Sequence, residues 1–521
     1  MLKRDWTVID KRASQAKDEH AASYEKLIKF LEEPVKHNID KDIYMTRGLL
    51  YWLKCNAQQK KDFGKDSPLT LAANMFTGKQ AYADAYANLC KKAGIECETV
   101  SGIAKTGDYN PGDLEIDREK MKAYWNKVKL LGKWWPIHPR YVLRAVKGTA
   151  QASGYTKIDS DLKDDNGSQS AGPQQTEITF NDFWFLADPE IFINKCYPDD
   201  PEDQMLPAAK RIKKPRNFMK LPYLTPVFHE YRLKLTSEET CIIDSIEGLA
   251  KISFKASRTV AKDMACDYTL SIENRDGTEK TKFDFETSRL VFSSRKKNQF
   301  IFEVRCPVEA NYQLVITGGK MENENKKVLI KCKIVCREKM PVARTLPIDA
   351  GQTGWGFGPV AAKVGLSKPK IKEPKVFIKP KSSSSGGKTT MKMRFTVDKD
   401  MIKTKEYTAE LNVAGKPADN FKGFVKTNLN KESKELQIEC SVPEDGEYAL
   451  VIKAKDRAEH VFKPVCYYLL TTLEDEEKMS DDYYDSSDGT SDIDEEIDQL
   501  ESTLKAMTAE RDRLKQHVSR Q

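Results

Sequence analysis

The sequence predicts a multidomain chain: an α+β core, two β-sandwiches in tandem, and a C-terminal helix of coiled-coil pattern. Helical periodicity in the first hundred or so residues gives way to strand-like stretches before residue 140. The second half carries a weak internal repeat of short, alternating strands. The last stretch spaces its apolar side chains four and three apart.

Bulk properties narrow the function classes. At 521 residues the chain is too long for one hydrophobic core. Apolar residues make up 39%, as in ordinary globular domains, and 32% charged residues leaves room for solvated linkers. The formal charge of +7 is small for this size, because basic linkers precede an acidic tail. Bulk charge therefore gives no case for nucleic-acid binding. Met1 to Trp6 leads into charged sequence rather than a secretory signal, and no apolar run approaches the roughly 18 residues of a membrane span. Eleven cysteines stand at irregular spacing without a Cys-x-x-Cys pair, and there are only six histidines. Cys332 and Cys336 share a strand face, but no histidine lies near them in sequence to complete a zinc site. The expectation is a cytoplasmic protein with reduced, mostly buried thiols, no metal and no cofactor.

Residues 1–22 are expected as an N-terminal arm and 23–206 as the core. Tyr24, Leu27, Ile28 and Leu31 recur at helical spacing, and Ile43 to Leu53 forms a second amphipathic run. Gly78 to Leu89 opens a further helix whose Ala83, Ala87 and Cys90 fall along one face. The small residues at 83 and 87 suit a central helix packed on a sheet. Gly94 to Lys105 reads as a strand, and Tyr124 to Pro139 as two strands joined by a Gly132-Lys133 turn. Between about 147 and 176 the composition turns to Ser, Gly, Asp, Gln and Lys, which predicts a disordered loop. A Phe183-Trp184-Phe185-Leu186 strand ending in Asp188-Pro189 then restores order, followed by Ile191-Phe192-Ile193, Tyr197-Pro198 and Gln204-Met205-Leu206.

This order of motifs resembles the transglutaminase-like core, a papain-type fold. In that family a Cys leads the helix, a His precedes Trp-Asn in one strand, and an Asp follows Gly-x-Trp in the next. Carried over residue by residue, those places hold Ala83, Ala123 and His138, so the resemblance implies a lost catalytic triad. Acyl transfer by a thiol needs a thiolate, a base and a group that orients the base. Ala83 supplies no nucleophile, Ala123 no base, and His138 stands where a carboxylate belongs. His138 then reads as an imidazole in a hydrogen-bonding niche between strands. Tyr82, Tyr124, Trp125, Trp135 and His138 are the candidates for lining the former substrate groove. The closing segment to Leu206 resembles a narrower group, the kyphoscoliosis peptidase and hillarin proteins, with Cys196 where that group has a His. The resemblance implies a pseudoenzyme that serves as scaffold or adaptor, with protein partners of the cytoskeletal type. The rival reading is an active thiol protease or glutamine transferase whose nucleophile is Cys55, Cys90 or Cys97.

Beyond the core, residues 207–224 form a basic linker around Lys210 to Arg216. Glu303 to Ile316 parallels Gln437 to Ile452: a Cys-bearing strand, an acidic turn, then a Tyr-x-Leu-Val-Ile strand. Ala250 to Phe254 likewise matches Met391 to Phe395. This pattern predicts immunoglobulin-like sandwiches over 225–340 and 372–470, with Cys306 and Cys440 in their cores. The stretch 341–371 is a linker in which Trp355 and Phe357 dock on a neighbouring domain. Its glycines lack the spacing of a phosphate loop. The Lys-Pro run from Lys368 to Lys381 is expected to be stiff and solvated.

Residues 471–492 are acidic and serine-bearing, hence disordered by self-repulsion. Ile493, Ile497, Leu500, Leu504, Met507, Leu514 and Val518 then mark a heptad seam over 493–521. That seam predicts a homo-oligomer.

Overall fold

The computed structural model describes residues 4–56, 64, 66–105, 109–147, 175–273, 285–342, 344–380, 390–414, 416 and 418–473. They gather around three large apolar cores, with smaller clusters at the junctions.

Five helices open the chain: α1 (Thr7–Ser14), α2 (Tyr24–Glu32), α3 (Lys41–Cys55), α4 (Pro68–Phe76) and α5 (Tyr82–Lys92). The Ser23 and Ser67 hydroxyls accept from the N–H groups of Lys26 and Thr70, satisfying donors that a first turn leaves free. The arm expected over 1–22 is in fact partly core. Ile9 and Ala13 of α1 are fully buried, and Ile9 lies on Gly48 of α3. The apolar stripe of α1 is short and set among charges, so its periodicity was hard to see.

The core sheet follows: β1 (Cys97–Ala104), α6 (Arg118–Met121), β2 (Lys122–Leu130), β3 (Lys133–Ile137), α7 (Pro139–Leu143), β4 (Arg144–Lys147), β5 (Gln175–Ile178), α8 (Pro189–Phe192) and β6 (Cys196–Pro198). Its order is β3-β2-β1-β6, antiparallel throughout. Gly102 of β1 has no room for a side chain. A Cβ there would stand 2.2 Å from the Tyr197 carbonyl oxygen and 2.6 Å from the Trp125 ring. The β2–β3 turn is Leu131-Gly132, with φ of +50° and +76°, one residue earlier than expected. Two left-handed residues match the twist of a two-residue hairpin. The loop expected over 147–176 starts and ends in the β4–β5 ladder, and residues 148–174 lie outside the described residues. The Phe183-Trp184-Phe185-Leu186 stretch is not a strand. Asp182–Trp184 forms a 3₁₀ turn, because the Asn181 side chain accepts from the Phe183 N–H and starts a tight bend.

The basic linker also proves ordered. It contains α9 (Pro215–Lys220), whose Phe218 and Met219 are buried with Ile103, Tyr109 and Tyr197 of the core. Two of its charges are paired, Lys210 with Glu190 and Arg211 with Glu202.

The first sandwich comprises β7 (Tyr223–Leu224), α10 (Pro226–Glu230), β8 (Lys234–Leu235), β9 (Ile242–Asp244), β10 (Leu249–Lys255), α11 (Arg258–Asp263), β11 (Met264–Glu273), β12 (Val291–Lys296), β13 (Gln299–Arg305), β14 (Asn311–Lys320) and β15 (Lys327–Val335). One sheet runs β12-β13-β10-β8 and the other β11-β14-β15-β7, with β9 parallel to β15. The second sandwich begins before residue 372, with α12 (Pro359–Lys363) and β16 (Leu366–Ser367). It continues through β17 (Lys375–Phe377), β18 (Met391–Val397), α13 (Met401–Thr404), β19 (Lys405–Asn412), β20 (Val425–Asn430), β21 (Glu435–Cys440), β22 (Glu447–Asp456) and β23 (Lys463–Thr471). Its sheets run β16-β18-β21-β20 and β17-β23-β22-β19.

The internal repeat has a structural counterpart. Tyr312 and Tyr448 each donate from the phenol to a carbonyl four residues back, Val308 at 2.7 Å and Glu444 at 2.9 Å. Cys306 and Cys440 are both fully buried. The stretch around Trp355 is not a free linker. The Trp355 N–H donates to Ser293 O (2.7 Å) and the Gly356 N–H to Tyr467 O (2.6 Å), tying β12 to β23. Leu346, Trp355, Phe292 and Tyr467 close a small core between the sandwiches, and Arg305 meets Glu447 with two hydrogen bonds. Phe357 packs instead toward Phe395 of the second sandwich, with ring centroids 6.2 Å apart.

Candidate functional site

Ala83 lies in the first turn of α5, buried, and its carbonyl accepts from Asn126 Nδ2 at 3.0 Å. Asn126 belongs to β2 and pairs with Ile137, the residue before His138. One side chain thus holds the start of the helix to the strand pair. Ala123 sits three residues earlier in β2, opposite Gly102 and buried. The close approach at Gly102 packs Trp125 down onto β1.

His138 follows β3 directly and caps α7. Its Nδ1 accepts from the Tyr141 N–H at 3.4 Å, and its backbone N–H donates to Trp184 O at 3.1 Å. The imidazole stacks flat on Tyr141, with centroids 3.6 Å apart and planes 2° from parallel. Trp125 lies 6.4 Å from it, and Trp184 roofs Tyr141 at 5.2 Å. Complete burial, then the charge of Arg140, pushes the imidazole pKa well below its ordinary value. Desolvation disfavours the cation. Among the described residues no partner meets His138 Nε2, Asn126 Oδ1, or the indole N–H groups of Trp125 and Trp184.

The groove candidates divide. Tyr82, Trp125 and His138 are buried, whereas Tyr124 and Trp135 keep part of their surface open. Asn126, Tyr141 and Trp184 were not singled out from sequence, although Asn126 stands beside Trp125 in the motif that carried the resemblance. The seam residues Ile493 to Val518 lie outside the described residues.

Four thiols belong to the core region. Cys90 and Cys196 are fully buried, Cys97 is half-buried and Cys55 is exposed at the end of α3. Burial raises the Cys90 pKa well above the ordinary value, and it also raises Cys55. Each of these two thiols is thereby held in its protonated, less nucleophilic form. No group of three His, Cys, Asp or Glu side chains that could hold a metal occurs among the described residues. No helix among them is long and apolar enough to cross a membrane.

Comparison with known proteins adds a lineage. Residues 215–347 match the family model described as KY-like, immunoglobulin-like domain, beginning at α9. The chain is 23% identical over 372 residues to Lim and transglutaminase domain protein ltd-1 of Caenorhabditis elegans, covering 69% of this chain and 48% of that protein. It is 25% identical over 355 residues to hillarin of Drosophila melanogaster, covering 64% and 40%. It is 23% identical over 436 residues to kyphoscoliosis peptidase of Homo sapiens, covering 80% and 55%. The chain therefore spans 40% to 55% of the length of these three relatives.

Proposed function

On the premise that this chain fits the kyphoscoliosis peptidase and hillarin group, we propose that it is a catalytically inactive, transglutaminase-like scaffold. The observation that carries this is the trio Ala83, Ala123 and His138. Two methyl groups stand where the family has a thiol and an imidazole. The one imidazole present is buried, neutral and stacked on Tyr141. Neither methyl can attack an acyl carbon or accept its proton.

A scaffold needs surface rather than chemistry. Tyr124 and Trp135 remain partly open on the core sheet, and the docked sandwiches add large β faces. In this reading the partners are proteins, cytoskeletal by analogy with the group. The C-terminal seam joins copies of the chain and raises avidity.

The test is an assay of the purified chain for peptide hydrolysis and for amine incorporation into a glutamine-bearing protein. The expected rate equals that of the buffer control, and replacing Cys55, Cys90 and Cys97 together with alanine changes nothing. A turnover that disappears with those substitutions would establish the rival enzyme reading.

A further inference from the structure

Three consecutive carbonyls where α9 ends are shared between the core and the first sandwich. From the core, the Tyr109 phenol donates to Met219 O at 2.7 Å and the Lys105 ammonium to Leu221 O at 3.1 Å. From the sandwich, the Cys241 backbone N–H (2.9 Å) and the Thr240 hydroxyl (3.1 Å) donate to Lys220 O between them. The Cys241 thiol also reaches Met219 O at 3.3 Å and lies 3.5 Å from the Tyr109 phenol oxygen. The chain that joins the two bodies is gripped from both sides at successive residues. Lys105, which directly follows β1, brings a cation into this clamp, and it is fully buried. Its ammonium lies 4.8 Å from the centre of the Phe218 ring and 5.2 Å from that of Tyr109.

A cation enclosed in this way loses most of its water, and one carbonyl with two rings replaces only part of it. The groups that face it do not make up the difference. Cys241 faces it from the sandwich, and Lys195 from the turn before β6. Behind them Tyr109 stacks on Tyr223 of β7 at 5.8 Å, and Tyr197 packs on Phe218 at 5.4 Å. Lys195 and Lys331 lie 5.3 Å and 5.9 Å from the Tyr223 ring. Among the described residues no carboxylate pairs with Lys105. We propose that this clamp is a pH-sensitive hinge between the core and the first sandwich, loosened when Lys105 takes up a proton and tightened when it gives one up. Opening restores water to the ammonium, whereas the neutral amine gains little from water and still donates to Leu221 O. Burial lowers the pKa of the docked lysine to about 7, while a hydrated lysine titrates at about 10.4. Between those values the docked state binds fewer protons than the open one, so docking strengthens as pH rises and weakens as pH falls toward 7. This hinge does not depend on the scaffold reading.

Cys241 reports the hinge, because it is fully buried and sits against Tyr109 and Met219. The experiment treats the full chain with iodoacetamide between about pH 7 and 8.5 and reads alkylation of Cys241 by mass spectrometry. The rate in the native chain is divided by that in the urea-unfolded chain at each pH. That ratio removes the ionisation of the thiol itself and leaves the opening equilibrium. It should fall by at least about tenfold as pH rises across this range. Cys440, buried in the core of the second sandwich, is the control and should show no such fall. Lys105→Met should stay docked throughout and lose most of the change. Lys105→Arg, which keeps its charge, should leave the Cys241 ratio high at both ends of the range. The proposal is overturned if the Cys241 ratio is flat with pH in the unaltered chain, or if Lys105→Met shows a fall of the same size. It is equally overturned if the Cys440 ratio falls in step with that of Cys241, since the whole fold would then be opening.

Discussion

At the scale of single residues, buried ionisable groups dominate. His138 is held neutral by burial and by Arg140, and His229, stacked on Phe183 at 5.7 Å, has its pKa pushed down to about 4 by burial. The unfolded chain takes up protons on both near pH 6.5, while the folded chain resists. Their contribution to stability is therefore complete above the unfolded value. It falls as pH drops below it, by at most about 1.4 kcal/mol per pH unit for each group. The effect is smaller for His229, which keeps some contact with solvent. His229→Gln should flatten the pH dependence of urea stability between pH 4 and 6.5, and an unchanged slope would refute this. Lys105 makes the opposite case. It is fully buried, its ammonium donates to the Leu221 carbonyl (3.1 Å) and lies over the rings of Tyr109 and Phe218, and burial lowers its pKa to about 7. Lys105→Met should raise stability at neutral pH by about 1–2 kcal/mol, because an apolar group of similar length avoids the desolvation cost. Arg47 is buried too, but it is paired with Asp10 and Asp182 and packed over Phe180. Its truncation to alanine should destabilise by about 3–5 kcal/mol in the same urea measurement.

At the scale of elements, Gly102 is the point where sheet and site depend on each other. Gly102→Ala forces a methyl into the Tyr197 carbonyl and the Trp125 ring. A cost of about 3 kcal/mol or more is expected, read as a lower denaturation midpoint of the core. A fully stable variant would show that β1, β2 and β6 do not meet as described. Elements whose side-chain period is uninterrupted were legible in the sequence. β14 alternates cleanly, with Tyr312, Leu314 and Ile316 inward, and β21 does the same with Leu436, Ile438 and Cys440. Elements shaped by a polar local contact were not. The 3₁₀ turn at Asp182–Trp184 is set by one Asn181 side chain, and its buried Trp184 and Phe185 resemble a strand by composition alone. The order of motifs points to Ala83, Ala123 and His138, but the burial of His138 against Tyr141 is a tertiary fact that no periodicity encodes.

At the scale of the whole molecule, the bodies are docked rather than strung. Phe218 and Tyr109 join the core to the first sandwich, and Trp355 with the Arg305–Glu447 pair joins the two sandwiches. The sandwiches should therefore unfold in one calorimetric transition. Trp355→Ala removes a fully enclosed ring at a cost of about 3–5 kcal/mol and should split that transition in two. A single transition in the variant would show that the junction is not what couples them. The C-terminal seam makes a separate proposal testable by sedimentation: a chain ending at Leu473 should be monomeric where the full chain associates.

The central claim, an inert thiol-enzyme core, is tested most directly by alkylation rates of each cysteine in the native chain at pH 6. A thiol of ordinary pKa is about 0.3% thiolate there, whereas an activated one is almost fully ionised. The account predicts that Cys55, Cys90 and Cys97 all react no faster in the native chain than in the unfolded one. One of the three reacting far faster when folded would contradict it and return the chain to the enzymes.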